Sequence, residues 1–589
     1  MRLTGSEILW ECLRREGVDV VYGYPGGAIL PTYDAMTKYP EIRHVLTRHE
    51  QGAAHMADGY ARMTGRVGVA MATSGPGATN LVTGLATAMM DSSPIVCITG
   101  QVPTSAMGGD AFQEADVTGI TLSVTKQSYM VCDVKNLAYI VKEAFYIARS
   151  GRPGPVVIDL PKDVQLASTE FVYPEEPIRL AGLRLPQPAP VEQVTAAAKM
   201  IAEAERPVIL AGHGVLISEA GRELAELAER TETPVALTLL GKGGMPESHP
   251  LCLGMMGMHG EAAVNNAIQE ADLLIACGMR FDDRVTGNLA TYATKSKKIH
   301  IDVDPAEINK NVRADIGIVG DLRQVLTQIL DVQENRTGDA WLAKIRTWQD
   351  DTAERDIVKQ SPRRDEFLAA QAIAELRKAT GGDVVNVTDV GQHQMWEAQY
   401  FPHERPNTLL TSGGMGTMGF AVPAAIGAKM GNPDEEVWAI VGDGGFQMTM
   451  AELMTAVQEG VEIKIALINN GYLGMVRQWQ EFFYEERYNS TPMATPDFCK
   501  LAEAFGIPAV RVVHAEDVEA AVQQARSHKK GPMLVEFVVE QHDIVYPMVP
   551  AGADLDNMIR RPHPPAMHLA EQAQGDEAPM QAAPMRAAQ

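Results

Sequence analysis

Short apolar runs that end in glycine or aspartate alternate with stretches of helical periodicity along almost the entire chain. Continuously apolar runs of this kind predict strands of parallel sheets, and the helical stretches between them predict crossovers that cover both faces. The expected class is α/β, built of doubly wound parallel sheets. Three blocks can be separated. The first, 1–180, carries "VDVVYGYPG", "RVGVAMATSG", "SPIVCITG" and "GPVVIDLP". The Pro-rich "RLPQPAPVEQ" reads as a linker to the second, 190–345, with "RPVILAGHG", "TPVALTLLGKG", "ADLLIACGMRF" and "KKIHIDVDP". A charged helical bridge around "DAWLAKIRTWQDDTAERDIVKQSPRRDE" leads to the third, 365–550, with "GDVVNVTDVGQHQ", "EVWAIVGDGG", "EIKIALINNGY" and "GPMLVEFVVE". First and third blocks look alike in plan, without a residue-level repeat. Residues 551–589 read as a closing segment and an aperiodic Ala/Pro/Gln/Met-rich tail, expected to be disordered.

The length of 589 residues suits three or four domains at roughly 150 residues each. A formal charge of −24 argues against nucleic acid or an anionic membrane as partner, because both need clustered Lys and Arg. Six cysteines are spread without a C-x-x-C pair, so neither a zinc site nor a disulfide framework is expected. The opening "MRLTGSEILWECLRREGVD" reads as an amphipathic helix capped by Ser6, not as a targeting peptide, and no apolar run reaches the roughly 18 residues of a membrane span. The expectation is a cytoplasmic protein.

The stretch "EVWAIVGDGGFQ" sets Asp443 at the end of a strand. A helix expected from about Gln447 to Glu459 crosses back, and the next strand, "IKIALI", ends at Asn469-Asn470. Right-handed crossovers deliver Asp443 and Asn470 to the same carboxyl edge, where open α/β sheets bind ligands. By itself Gly-Asp-Gly is a turn after a strand. With Asn470 beside it, one carboxylate, one amide oxygen and a loop carbonyl make a partial shell for magnesium, which takes its remaining oxygens from phosphate and water. Gly442, Gly444 and Gly445 are expected to let a diphosphate approach the backbone.

G-D-G followed by N-N, with 27 residues from Asp443 to Asn470, resembles the thiamine diphosphate signature. "YPGGAILP", "RHEQGAAHMADGYAR", "TSGPGATN", "GGDAFQEADV", "GRPGPVVIDLPKDV", "GMHG", "RFDDRVTG", "GQHQMW", "TSGGMGTMGFAVPAAIG" and "GMVRQWQEFFYEERY" together are similar to the acetohydroxyacid synthase family, in its large catalytic subunit. The resemblance spans residues 4 to about 560 and implies three domains of the thiamine diphosphate decarboxylase/synthase type. They would run in the order pyrimidine-binding, FAD-binding, and thiamine diphosphate/Mg-binding. It implies decarboxylation of pyruvate and transfer of the two-carbon unit to pyruvate or 2-ketobutyrate. The products would be 2-acetolactate or 2-aceto-2-hydroxybutyrate, precursors of the branched-chain amino acids.

Site residues follow from the same resemblance. Glu50 matches the activator glutamate, the carboxylic acid that would hydrogen-bond the far nitrogen of the cofactor's aminopyrimidine. Asp443, Asn470 and the Tyr472 carbonyl match the Mg2+ ligands. Val390, Gly391, Gln392 and His393, Gly416 and Met418 of "GGMGTMG", and Met475 complete the thiamine diphosphate contacts. Met258, His259, Gly260 and Arg280 would line FAD, with Arg152, Gly212, Asp302 and Asp321 as further contacts. Arg284 would pair with the carboxylate of the second keto acid, a task suited to a forked guanidinium. Trp479 would narrow the acceptor pocket in favour of 2-ketobutyrate. Phe112, Gln113 and Lys162 would line the channel and reaction centre, and Gly27 would offer a backbone contact there. The family places the cofactor between first and third blocks of different subunits, which implies a homodimer or higher homo-oligomer, and it suggests a separate regulatory small subunit.

Related thiamine enzymes such as pyruvate oxidase, glyoxylate carboligase or the flavin-free catabolic acetolactate synthase share the scaffold, with "RFDDRVTG" and "RQWQ" weighing against them. A nicotinamide dehydrogenase would need a dinucleotide fingerprint. Gly414-x-Gly416-x-x-Gly419 fits the spacing. No convincing apolar strand leads into it, however, and Asp434 and Glu435 lie in a loop. A non-catalytic flavin scaffold would leave Glu50 dispensable.

Overall fold

The computed structural model describes residues 1–180, 182, 186–360 and 366–562. The C-terminal tail expected beyond "RRP", and parts of the expected linker and helical bridge, lie outside the described residues.

Three six-stranded parallel sheets form the frame. In the first, strands numbered along the chain are Val20–Gly23, Arg43–Leu46, Gly68–Ala72, Ile95–Gln101, Gln127–Met130 and Val156–Pro161, with spatial order 2-1-3-4-6-5. The third repeats that order with Val385–Thr388, Leu409–Thr411, Val437–Gly442, Ile463–Asn469, Ala509–Val512 and Met533–Val538. The resemblance in plan between first and third blocks is therefore a shared topology. The middle sheet uses Pro207–Ala211, Val235–Leu237, Cys252–Met255, Leu273–Cys277, Lys297–Asp302 and Ile316–Val319 in the order 3-2-1-4-5-6, that of dinucleotide-binding folds.

Period-two alternation sends neighbours on one strand into different cores. Val96 and Ile98 pack outward with the helices Gly5–Arg15 and Leu137–Arg149, whereas Ile95 and Cys97 face inward. The inward core is shared: it also holds Val385, Val387, Ala439, Val441 and Ile465 of the third sheet. Its centre is the contact between helices Glu50–Thr64 and Ala421–Gly431. A Cβ on Gly59 would overlap the Ala424 carbonyl, and one on Gly427 the Met56 carbonyl. The two backbones touch because neither residue has a side chain. Gly59→Ala is accordingly expected to cost about 3 kcal/mol through overpacking, read as a lower urea midpoint at constant slope. An unchanged midpoint would mean that the helices separate freely.

Three expectations need correction. The first helix is capped by Thr4, not Ser6: Thr4 Oγ1 accepts from Glu7 N at 3.2 Å and Glu7 Oε2 accepts from Thr4 N at 2.8 Å, a closed capping box. Ser6 lies inside the helix, buried, with its hydroxyl donating to Gln165 O. The helix after Asp443 begins at Asp443 itself, runs to Thr449, passes through one 3-10 turn at Met450–Glu452 and resumes at Leu453–Glu459. A strand, Leu409–Thr411, does lead into the "GGMGTMG" loop, but at the sheet edge and away from its switch point.

All six cysteines are free thiols. Among the described residues no helix is long and apolar enough to cross a membrane.

Candidate functional site

In the third sheet the chain leaves adjacent strands 1 and 3 in opposite directions, which opens a crevice at their carboxyl ends. An open cleft occupies it. Val390, Gly391, Gln392 and His393 line one wall, and Gly442, Asp443, Gly444 and Gly445 the other. Asn470, Tyr472 and Met475 close the end, with Met418 reaching in from the glycine-rich loop. Gly416 is not part of the lining. It holds a φ of 66° beside Val390 and shapes that loop.

Asp443 is buried at the first turn of its helix, with Oδ1 accepting from Gly444 N at 3.0 Å and Oδ2 from Gly471 N at 2.9 Å. Burial pushes its carboxyl up to about 6, and the two backbone donors offset only part of this. A divalent cation beside it would supply the missing stabilisation of the charged form. Asn470 turns Oδ1 toward Tyr472 N at 3.1 Å and Nδ2 toward Gln392 Oε1 at 3.3 Å. Among the described residues no group of three or more His, Cys, Asp or Glu could hold a metal, so an ion here needs oxygens from its ligand.

Burial drives the His393 imidazole down to about 3, so it is neutral, and its buried Nε2 has no hydrogen-bond partner. The helix Gln392–Tyr400 starts after Gly391 without a side-chain cap. An orphaned ring nitrogen, an uncapped helix start and a lone carboxylate around one cleft fit a diphosphate held through a divalent cation. The three glycines line the cleft and also leave room for neighbours within the fold. A Cβ on Gly442 would meet the His393 ring at 2.8 Å, one on Gly444 Leu473 at 2.9 Å, and one on Gly445 the Asp389 carboxylate.

Asp389 was not foreseen. Fully buried and lifted to about 6 by desolvation, it accepts from Val390 N at 2.8 Å and from Gly419 N at 2.9 and 3.0 Å, pinning the glycine-rich loop. Asp91 of the first domain holds the other end of that loop, accepting from Gly413 N at 3.0 Å and Gly414 N at 2.7 Å while pairing with buried Arg62 at 3.0 Å. Nothing local in "VTDVG" or "MMDSS" announces either role.

Glu50 begins the helix Glu50–Thr64 at the carboxyl edge of the first sheet, 7% exposed, and Asn80 Nδ2 donates to its Oε2 at 2.9 Å. No hydrogen bond joins it to the 390–476 cleft among the described residues. Gln113 holds a φ of 59° and packs its backbone against Gly75, while Phe112 beside it is 87% exposed. Gly27 has open space where a side chain would stand, and Lys162 opens a short helix after the strand Val156–Pro161. The chain thus carries a cleft with a buried carboxylate on the third sheet and a buried glutamate on the first.

The middle sheet's switch point lies between Pro207–Ala211 and Leu273–Cys277. Gly212 and Gly214 pass so close to Gly278 that a Cβ at Gly212 would overlap its carbonyl. Arg280 follows, half-buried beneath Gly414, with no carboxylate in ion-pair distance among the described residues. Asp302 ends a strand here, buried and raised to about 6. A guanidinium here, with Asp282 as a more distant electrostatic neighbour, fits an anionic nucleotide. Arg152, by contrast, is engaged by Glu307 at 2.9 Å and Asp304 at 3.5 Å, and Asp321 caps the helix Leu322–Val332.

Met258 takes part in backbone pairing with Arg284 at 2.7 Å and Val549 at 2.9 Å. Buried and neutral His259 sets Nδ1 3.2 Å from Pro547 O, and Gly260 closes tightly on Met256. Gln399, from the helix that begins at Gln392, donates to His259 O at 2.8 Å and so ties this segment to the cleft. Arg284 is exposed, with Nε 3.8 Å from Asp283 Oδ2 and Nη1 3.4 Å from Met258 Sδ, and the Trp479 ring lies tilted against Phe483 with centroids 5.3 Å apart.

Family models match all three domains: "thiamine pyrophosphate enzyme, N-terminal TPP binding domain" over residues 3–120, "central domain" over 194–329, and "C-terminal TPP binding domain" over 389–537. The chain is 50% identical to the acetolactate synthase large subunit of Corynebacterium glutamicum, over 94% of this chain and 89% of that one. It is 49% identical to the acetolactate synthase of Mycobacterium bovis, over 95% and 91%, and 47% identical to that of Arthrospira platensis, over 95% and 98%.

Proposed function

The chain belongs to the acetolactate synthase large-subunit family of thiamine pyrophosphate enzymes, and from that premise we propose that it joins the two-carbon unit of pyruvate to a second 2-keto acid. Pyruvate as acceptor gives 2-acetolactate, and 2-ketobutyrate gives 2-aceto-2-hydroxybutyrate. The observation that carries the reading is the cleft in which Asp443, Asn470 and the orphaned His393 Nε2 converge at one sheet edge. Thiamine diphosphate, when bound, supplies the carbanion and electron sink for decarboxylation.

The chain's own residues supply the rest. Asp443, Asn470 and the Tyr472 carbonyl would hold Mg2+. Gly391, Gln392 and His393 would anchor the diphosphate, with Met418 beneath the rings. Glu50 would donate a hydrogen bond to the pyrimidine and keep a proton in play there. That its recorded side-chain partner is Asn80 of its own domain, with no hydrogen bond to the cleft among the described residues, supports a site completed by a second chain, in a homodimer or larger assembly. Exposed Phe112, with Gln113, Lys162 and Gly27, would then wall the reaction centre. FAD would lie along Gly212, Met258, His259, Gly260 and Arg280, reached by Asp302, with Arg152 and Asp321 at its ends. Arg284, exposed and held only loosely by Asp283 at 3.8 Å, would take the acceptor's carboxylate. The relatives' name "large subunit" supports a separate small partner, and we place the enzyme in the cytoplasm. Pyruvate oxidase and glyoxylate carboligase gain nothing from these relatives, which bear the synthase name.

Product analysis tests the reading. Purified chain given pyruvate and 2-ketobutyrate is expected to form 2-aceto-2-hydroxybutyrate only with thiamine diphosphate, Mg2+ and FAD together. Acetyl phosphate with oxygen uptake, or free acetaldehyde, would move it to another branch. Trp479→Leu is expected to lower the preference for 2-ketobutyrate over pyruvate by about tenfold, since the indole narrows the acceptor space. An unchanged product ratio in competition would remove Trp479 from that role.

A further inference from the structure

Glu452 is 1% exposed, belongs to the third domain, and spends most of its hydrogen bonds on the first. Arg48 N donates to its Oε1 at 3.0 Å and its Oε2 at 3.1 Å, and His49 N donates to Oε1 at 2.9 Å. Thr455 Oγ1 holds Oε2 at 2.7 Å from within the same domain. His49 is the N-cap of the helix whose first residue is Glu50, and its Nδ1 accepts from Gln51 N at 3.1 Å. The gripped amides are therefore those immediately ahead of Glu50. Gly52 completes the arrangement, because a Cβ there would overlap the Glu452 carboxylate.

A carboxylate this deep is costly unless every oxygen is satisfied, and here two domains satisfy it together. Holding the domains together does not require it, since Glu50–Thr64 and Ala421–Gly431 already pack backbone to backbone. What the carboxylate adds is a fixed main chain at the two residues ahead of Glu50. Asn80 fixes the carboxyl end of Glu50, and Glu452 fixes the backbone from which that side chain projects. The helix that opens with Asp443 leads through one 3-10 turn to Glu452, so a single segment begins at the metal cleft and ends at this clamp.

We propose that Glu452 is a positioning residue that sets the place of the Glu50 carboxyl for cofactor activation, an inference that rests on the reading of Glu50 given above. Glu452→Gln keeps the shape but turns an amide NH2 against one of its donors. Gly52→Ala leaves the carboxylate intact and pushes it aside.

The experiment measures hydrogen–deuterium exchange at the thiazolium C2 of thiamine diphosphate bound to the holoenzyme, without substrate, beside calorimetric binding of thiamine diphosphate with Mg2+. Both variants are expected to slow exchange by about 10- to 100-fold, the cost of misplacing an activating group by around an ångström, with cofactor affinity nearly unchanged. Glu50→Gln should slow it further, and the Glu50→Gln/Glu452→Gln double variant should be no slower than Glu50→Gln alone. Wild-type exchange in Glu452→Gln and Gly52→Ala, with Glu50→Gln slowed, would overturn the proposal and leave the Glu50 reading standing. Slowing that adds fully in the double variant, or that only follows lost affinity, would also overturn it. Wild-type exchange in Glu50→Gln would instead remove the reading beneath it.

Discussion

Asp443→Ala is expected to weaken thiamine diphosphate binding by at least about 100-fold at fixed Mg2+, because it leaves a buried charged partner uncompensated. Among the described residues Asp443 is the sole carboxylate lining the cleft, and no cluster of acidic or imidazole groups stands by to replace it. Its oxygens also receive the Gly444 and Gly471 amides, so the alanine variant loses loop order as well as charge. Asp443→Asn keeps the shape and one acceptor oxygen while it removes the charge and turns an amide NH2 against one of the two backbone donors, so it disturbs the loop less than alanine does. Affinity by calorimetry should fall in both variants, and raising Mg2+ should recover little of it. Unaltered binding in Asp443→Ala would contradict the metal assignment.

Glu50→Gln is expected to lower kcat by about 100- to 10,000-fold, the range for losing one positioned acid–base group, while cofactor binding stays close to wild type. The amide can keep the contact to Asn80 but has no acidic proton to offer. A steady-state comparison that shows kcat unchanged would leave Glu50 as an ordinary buried helix residue.

Much of the fold was legible because each sheet's interior strands are buried on both faces, and continuous apolar runs carry that signal. "VDVVYGYPG", "SPIVCITG", "EVWAIVGDGG" and their counterparts all became interior strands. The strands that went unread, Arg43–Leu46, Gln127–Met130, Cys252–Met255, Ile316–Val319, Leu409–Thr411 and Ala509–Val512, are the two edges of each sheet. An edge strand mixes exposed and buried positions over a few residues, as Arg43–Leu46 does, and its pairing is set by tertiary contact rather than by pattern. The Thr4 cap was readable: "TGSE" is the S/T-x-x-E pattern, and Glu7 stands three residues after Thr4, not after Ser6.

The candidate site divides in the same way. Asp443 and Asn470 could be placed at one edge from strand, crossover and strand alone. Glu50 came only through resemblance, since a glutamate after a histidine has no distinguishing spacing. Asp389, Asp91 and Glu452 were invisible because each serves backbone amides distant in sequence: Glu452 reaches across 403 residues to His49. The glycines were legible only in part: Gly442, Gly444 and Gly445 line the cleft, but they also make room for His393, Leu473 and Asp389, neighbours that only the folded chain brings near.

Mixing two inactive variants tests most directly whether one catalytic centre joins the Glu50 edge of one chain to the Asp443 cleft of another. Glu50→Gln and Asp443→Ala chains, unfolded together and refolded or co-expressed, form hybrid dimers with one site doubly altered and one fully native. Acetolactate formation from pyruvate should return to about a quarter of wild type for random assembly into two-fold dimers. If Glu50 and Asp443 of the same chain served one site, every site in every hybrid would lack one of them. Activity no higher than that of either variant alone, in a sample shown to contain hybrids, would contradict the account.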